Sequence, residues 1–321
     1  MTKKISAIIC GGILAAGLFF SPVQAAPLNF DADSAITQYT QTIQREPNNA
    51  VAYNNRGMAY KMKKNYSKAL EDLTRAIELN PNYSDAYNNR GTVFYAQNKR
   101  NEALSDYSRA IELNPQDAVA YNNRGLLLGE IASYEKTSGK NSDSKFRNAI
   151  SDLTRAIELD PNYAEAYQNR AAVRGWSSGS ISSSQSEIKD YTRAIELGIQ
   201  TAEIYSSRGI SYRDIGEAEK ALADFNKGLS INPKHGGLYN NRGRIYQDRG
   251  DYQRAIADFT KAIEYGVNLS VAFTNRGVCY YQLGNYDAAI DDFNQALSVN
   301  QNFQPALESL QAAIAAKSGR R

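Results

Sequence analysis

The chain has 321 residues, with 37 Lys or Arg, 34 Asp or Glu and one His, for a net charge of +3. That balance lacks the dense basic surface a nucleic-acid backbone demands. Two cysteines are too few for a disulfide framework or a cysteine-based zinc module, and one histidine removes most His-rich metal and catalytic sites.

The N-terminus opens on Met1-Thr2-Lys3-Lys4, continues as an apolar run from Ile5 to Phe20, and closes on Ser21-Pro22-Val23-Gln24-Ala25-Ala26. A basic start, an apolar middle and small residues at −3 and −1 predict a secretory leader over residues 1–25, cut after Ala25. The apolar run is about 16 residues, short of the ~20 a membrane span needs. Retention as an uncleaved anchor is the alternative. Cleavage removes Cys10, leaving Cys279 as the lone thiol. It also removes Lys3 and Lys4, leaving 35 basic against 34 acidic residues. The expected location is exported: a periplasm, a thylakoid lumen or the extracellular space. No membrane contact is expected of the mature form unless the leader is kept.

Residues 31–47 read as a lone helix acting as an N-terminal cap, with Ala35, Tyr39 and Pro47 in register with the segments downstream of it. From there, Ala52-Tyr53-Asn54-Asn55-Arg56-Gly57 recurs from Ala86 and from Ala120, each 34 residues on, and again in variant form at Leu238 to Gly243. Arg-Ala-Ile-Glu-Leu recurs at Arg75, Arg109, Arg155 and Arg193, followed three times by Asn-Pro or Asp-Pro. A fixed period of this length means stacked supersecondary units. The chain resembles the tetratricopeptide repeat family over nearly all of its mature length. The resemblance implies an all-α solenoid, a right-handed superhelix of helix-turn-helix repeats that binds other proteins and is not an enzyme.

Seven units result: 50–83, 84–117, 118–163, 164–201, 202–235, 236–269 and 270–303. Numbering each from 1, position 4 is aromatic throughout, position 8 is Gly except at Ala171, position 20 is Ala except at Glu187, and position 27 is Ala except at Gly228. Small residues let two helices approach while a ring fills the neighbouring gap. Helix A is expected over positions ~2–14 and helix B over ~15–29, ended by Pro81, Pro115, Pro161 and Pro233 or by Gly198 and Gly266. Unit three carries about 12 extra residues around Ser133 to Ser144 and unit four about 4 around Trp176 to Ser184, both rich in Ser and Gly. They read as tolerated surface loops or as a docking loop projecting from one edge. Residues 304–316 read as a C-terminal capping helix and 317–321 as a basic tail. Caps are needed because each unit buries its face only on a neighbour.

Position 7 is Arg in every unit (Arg56, Arg90, Arg124, Arg170, Arg208, Arg242, Arg276) and position 23 is Asp (Asp72, Asp106, Asp152, Asp190, Asp224, Asp258, Asp292). Arginine at the edge of the packed stripe of helix A and aspartate on helix B predict one structural ion pair per unit, since the planar guanidinium matches a carboxylate. An anion-binding row is the alternative, and the matched aspartates argue against it.

Positions 2, 6, 9 and 13 lie opposite the packed stripe and are expected to line a concave groove. Position 6 is Asn at Asn55, Asn89, Asn123, Asn169, Asn241 and Asn275, with Ser207 in unit five. Asn is a poor helix former, so its recurrence asks for a reason. Its amide suits an extended peptide backbone, as in the asparagine ladders of some family members. An Asn–Asn-bonded row is the alternative. Met58 and Leu126, with Val51, Met62 and Val119, make an apolar end; Glu130, Glu165, Glu203, Asp214 and Asp248, with Arg244 among them, make an acidic stretch. These favour a protein or peptide partner segment carrying hydrophobic and basic residues. Trp176 reads either as an exposed groove anchor or as core.

No cofactor or metal is expected. Gly175-Trp176-Ser177-Ser178-Gly179 matches a hydrolase elbow in letters only, because the surroundings are helical and His235 is the sole histidine. An assembly chaperone acting through the convex face or the inserted loops is the second functional expectation.

Overall fold

A computed structural model describes residues 31–177 and 180–319. Among these residues there are sixteen α-helices and no strand. They fall into two compact units, one holding the described residues up to Gly198 and the other those from Ile199.

In the first unit, α1 (Ala32–Arg45) is followed by four helix pairs: α2 (Ala50–Met62) with α3 (Tyr66–Leu79), α4 (Ser84–Ala96) with α5 (Arg100–Leu113), α6 (Ala118–Thr137) with α7 (Asp143–Leu159), and α8 (Ala164–Ser177) with α9 (Ile181–Glu196). In the second unit, three pairs, α10 (Ala202–Asp214) with α11 (Ala218–Ile231), α12 (Gly236–Asp248) with α13 (Tyr252–Glu264) and α14 (Leu269–Gln282) with α15 (Tyr286–Val299), are closed by α16 (Gln304–Ser318). Within each unit, the two helices of a pair pack on each other and the pair packs on its neighbour, as expected for a tetratricopeptide solenoid.

The small residues at positions 8 and 20 set the spacing inside each pair. A Cβ added to Gly91 would stand 2.7 Å from the Tyr107 ring, and one added to Gly209 would stand 2.5 Å from Phe225. Ala69, Ala103, Ala149, Ala221, Ala255 and Ala289 are all fully buried. The large side chain one turn further along helix B, at position 24, thus lies directly on the glycine of helix A.

Helix B begins near position 17 rather than 15, because the turn from A to B turns through a left-handed residue. Lys64 (φ 58°), Asn98 (φ 59°), Gly216 (φ 82°), Gly250 (φ 76°) and Gly284 (φ 76°) occupy the same position in five units. Side-chain caps start many of the helices: Asn49, Asp117, Thr201, His235 and Asp251 each accept a backbone N–H of the first turn.

The insertion in unit three is not a projecting loop. Most of it is helix: α6 has 20 residues and α7 has 17, against 13 and 14 in the first pair. Ala132 from the added turns of α6 and Phe146 near the start of α7 are buried, together with Val173. Only residues 138–142 connect the two helices. A run without proline, rich in Leu, Glu, Lys and Ala, continues helix A wherever it finds apolar cover. The C-terminal helix also runs further than expected, so Lys317 and Ser318 are helical rather than part of a tail. The leader and Ser178-Gly179 lie outside the described residues.

Candidate functional site

Each of the seven arginines makes a two-pronged contact with its aspartate. Arg90 donates from Nε to Asp106 Oδ2 at 2.8 Å and from Nη2 to Asp106 Oδ1 at 2.9 Å. The same geometry recurs, at 2.7–2.9 Å, for Arg56–Asp72, Arg124–Asp152, Arg170–Asp190, Arg208–Asp224, Arg242–Asp258 and Arg276–Asp292. The hydrogen bond to Asp106 holds the Arg90 guanidinium above its ordinary pKa. Asp190 additionally receives Arg174.

Two further partners were not anticipated. The remaining guanidinium nitrogen reaches a small polar residue on helix B of the preceding unit: Arg56 Nη1 to Thr40 Oγ1 at 3.2 Å, Arg170 Nη1 to Thr154 Oγ1 at 3.1 Å, Arg242 Nη1 to Asn226 Oδ1 at 2.6 Å, Arg276 Nη1 to Thr260 Oγ1 at 3.0 Å. The same group also sits 5.5–5.8 Å from the centroid of the position-4 ring in all seven units. One arginine therefore ties three elements together, and no vacant cationic row remains for an anion. The signal was present in the sequence as a row of Thr, Ser and Asn at position 25, one residue after the packed position.

The asparagines are arranged otherwise than a free ladder requires. Asn89 Nδ2 donates to Asn54 Oδ1 at 2.9 Å, Asn123 to Asn88 at 3.0 Å, Asn169 to Asn122 at 2.9 Å and Asn275 to Asn240 at 3.3 Å. Position 6 is thus bonded to position 5 of the preceding helix A. Asn123, Asn169 and Asn275 are buried at 4–5% exposure. Neighbouring A helices approach closely enough that these amides satisfy one another, which corrects the reading of those three as an open peptide-facing row. Asn55, whose Oδ1 accepts from Asn54 Nδ2, and Asn89 and Asn241 remain half-buried.

Leu126 is also corrected: it is 2% exposed and belongs to the core. Trp176 packs beside Leu128 and Ile150 against the Phe146 cluster, so it is a core flank, not an exposed anchor. Met58 is half-buried, whereas Val51 (53%) and Met62 (47%) on the same helix face water.

Position 12 reaches across to the next unit. Tyr95 Oη donates to Glu130 Oε1 at 2.6 Å, and Gln247 Nε2 donates to the Asn275 carbonyl at 3.4 Å. Burial raises the Glu130 carboxyl above its usual range, against the opposing effects of Tyr95 and Arg100. Lys61, at the same position of the first pair, has no carboxylate partner among the described residues, and burial pulls its ammonium down to about 8. In the second unit, Arg213 pairs with Asp214 at 2.8 Å and donates to Asn241 Oδ1 at 3.5 Å.

Catalytic geometry is not what these contacts build. Among the described residues no three His, Cys, Asp or Glu side chains gather as metal ligands. His235 accepts Leu238 N at Nδ1 as a helix cap. Cys279 is buried, and that burial pushes its thiol up to about 12.

Models described as tetratricopeptide repeat match residues 50–83, 202–235, 238–265 and 270–303, and one described as TPR repeat matches 91–131; together they cover more than half of the chain. No curated protein matches in sequence. Among solved structures, the chain is similar to YrrB, described as a TPR protein with an unusual peptide-binding site, at 20% identity over 64% of this chain and 97% of that one, TM-score 0.51. It is similar to a tetratricopeptide repeat protein from Parabacteroides merdae at 20% identity over 87% and 99%, TM-score 0.53. It is also similar to the APC/C hetero-tetramer Cut9-Hcn1 at 16% identity over 88% of this chain and 52% of that one, TM-score 0.60.

Proposed function

Because the chain belongs to the tetratricopeptide repeat family, whose members mediate protein–protein contacts, we propose that it is an exported, non-enzymatic scaffold. It holds an extended segment of a partner protein along the exposed face of its A helices. The observation that carries this reading is on α2 and α6: Val51 and Met62 stand in water on the face opposite the packed stripe, and Glu130 is partly desolvated, with the Tyr95 hydroxyl as its hydrogen-bond partner and Arg100 acting on it through space. Exposed apolar side chains on α2 and a part-buried carboxylate two A helices further on favour an extended segment that brings hydrophobic residues and a Lys or Arg. The asparagine row supports the face rather than contacting the ligand: it pins one A helix to the next and fixes the spacing along which an extended chain, at ~3.3 Å per residue, would run.

Replacing Asn89, Asn123 and Asn169 with Ala therefore tests the scaffold's rigidity, not its recognition. The discriminating experiment is selection of peptides from a random library on the purified chain, repeated with Val51→Asp/Met62→Asp and with Glu130→Lys. Selected segments should combine apolar and basic residues, and each variant should lose them while keeping its helical circular dichroism. Peptides that bind both variants as well as the unchanged chain would remove the reading.

A further inference from the structure

The near-zero net charge hides a segregation within the first unit. The A-to-B turns of successive pairs lie along one edge. Lys136 Nζ from the end of α6 reaches the carbonyls of Trp176 and Ser177 at the end of α8, at 2.9 and 3.0 Å. Arg100 at the start of α5 lies 5.9 Å from the centroid of the Tyr134 ring on α6, and Lys63 at the end of α2 pairs with Asp33 at the start of α1.

Basic residues dominate this edge. Lys64, Lys140 and Arg147 are exposed and have no carboxylate partner among the described residues, and Lys68 and Lys99 lean on the Tyr60 and Phe94 rings. The acids here are fewer: Asp31, Glu102 and Asp143 are exposed, Asp33 is taken by Lys63, and Glu135 is taken by Lys145 at 2.6 Å. The opposite edge is acidic. There Arg75, Arg109, Arg155 and Arg193 are each paired with a glutamate three residues on, while Asp85, Asp117, Asp160 and Glu165 remain.

A second feature shares the basic edge. Met62 closes α2 at 47% exposure, Tyr134 stands on the added turns of α6 at 65%, and Ile181 opens α9 at 64%. Large apolar side chains protruding at helix tips among lysines gain nothing from water or from a phosphate backbone. They gain free energy at the boundary between lipid headgroups and acyl chains, where lysine stems bury and their ammonium groups stay at the surface.

We propose that the A-to-B edge of the first unit docks peripherally on an anionic lipid bilayer, with Met62, Tyr134 and Ile181 entering the interface and the lysines meeting the headgroups. No helix among the described residues is long and apolar enough to span a membrane, so the contact is one of surface attachment. This departs from the sequence expectation of a membrane-free mature chain. Met62 is shared with the partner-facing side proposed above, so lipid and partner compete for it.

The test is co-sedimentation of the full chain with phosphatidylcholine vesicles, with and without phosphatidylglycerol, at low and high salt. The unchanged chain should prefer the anionic vesicles and lose that preference in salt. Lys64→Glu/Lys99→Glu/Lys140→Glu should weaken binding to them by about tenfold or more, and the milder triple Gln variant by less. Met62→Ser/Ile181→Ser should weaken it as well. The apolar leader run is the same in all variants, so differences between them report on the edge. The proposal is overturned if the charge-reversed chain binds anionic vesicles undiminished, or if the unchanged chain shows no anionic preference. Capture by immobilised polyglutamate without vesicle binding would overturn it in favour of an acidic polypeptide.

Discussion

Asp106 is almost wholly removed from water, with its side chain 6% exposed, and its charge is met by the Arg90 guanidinium at 20%. A carboxylate so placed is costly to desolvate, and the two-pronged contact offsets that cost. Removing one partner strands the other. Asp106→Ala is therefore expected to cost about 3 kcal/mol in urea unfolding, and Arg90→Met with Asp106→Leu less than that single change. Equal losses would show that the pair is not coupled. The pairing was legible because Arg and Asp recur together in all seven units. The contacts to Thr40, Thr74 or Asn226 left a row of small polar residues in the sequence but not their partner, since they join one unit to the preceding one and depend on how closely the pairs stack.

Lys61 makes the opposite case, a cation with no counter-charge. Its folded-state pKa of about 8 lies below the unfolded 10.5. The penalty on its charged form is full below pH 8, fades as pH rises toward 10.5 and is gone above it, where the side chain is neutral in both states. Lys61→Met should therefore raise the unfolding midpoint at pH 7, and the advantage should disappear above pH 10.5. An advantage that persists at high pH would point to packing rather than charge.

At the scale of the element, the turn from helix A to helix B decides where helix B starts. The chain must pass through a left-handed residue, which costs an L side chain about 1 kcal/mol and costs glycine little. Gly216, Gly250 and Gly284 fit that requirement, whereas Lys64 and Asn98 meet it under strain. Gly250→Ala should lower stability by about 1 kcal/mol in urea unfolding, while Lys64→Gly should be neutral or gain a few tenths. A loss on Lys64→Gly would mean that its side chain contributes more than its backbone costs.

The unit-three insertion shows why element boundaries were harder to read than the repeats. Ser and Gly suggested a loop, but Ala132 and Phe146 found cover against Val173, and tertiary burial extended the helices. Trp176 went the same way: its register put it on an outer face, and the lengthened α6–α7 pair gave it a wall to pack on.

At the scale of the whole chain, the proposed leader gives a prediction independent of the fold. N-terminal sequencing of the exported protein should begin at Ala26, and a chain that begins at Met1 and pellets with membranes would favour the retained anchor.

The sequence alone determined the repeat: a 34-residue period, small residues at fixed places and paired opposite charges leave few ways to stack helices, because each demand is local and repeats. Only the tertiary structure decided what the asparagines do. Whether an amide faces a ligand or its neighbour depends on the distance between consecutive A helices. That distance is set by how neighbouring pairs stack, as where Gly129 of α6 lies against Val173 of α8, and Asn169 Nδ2 ends 2.9 Å from Asn122 Oδ1.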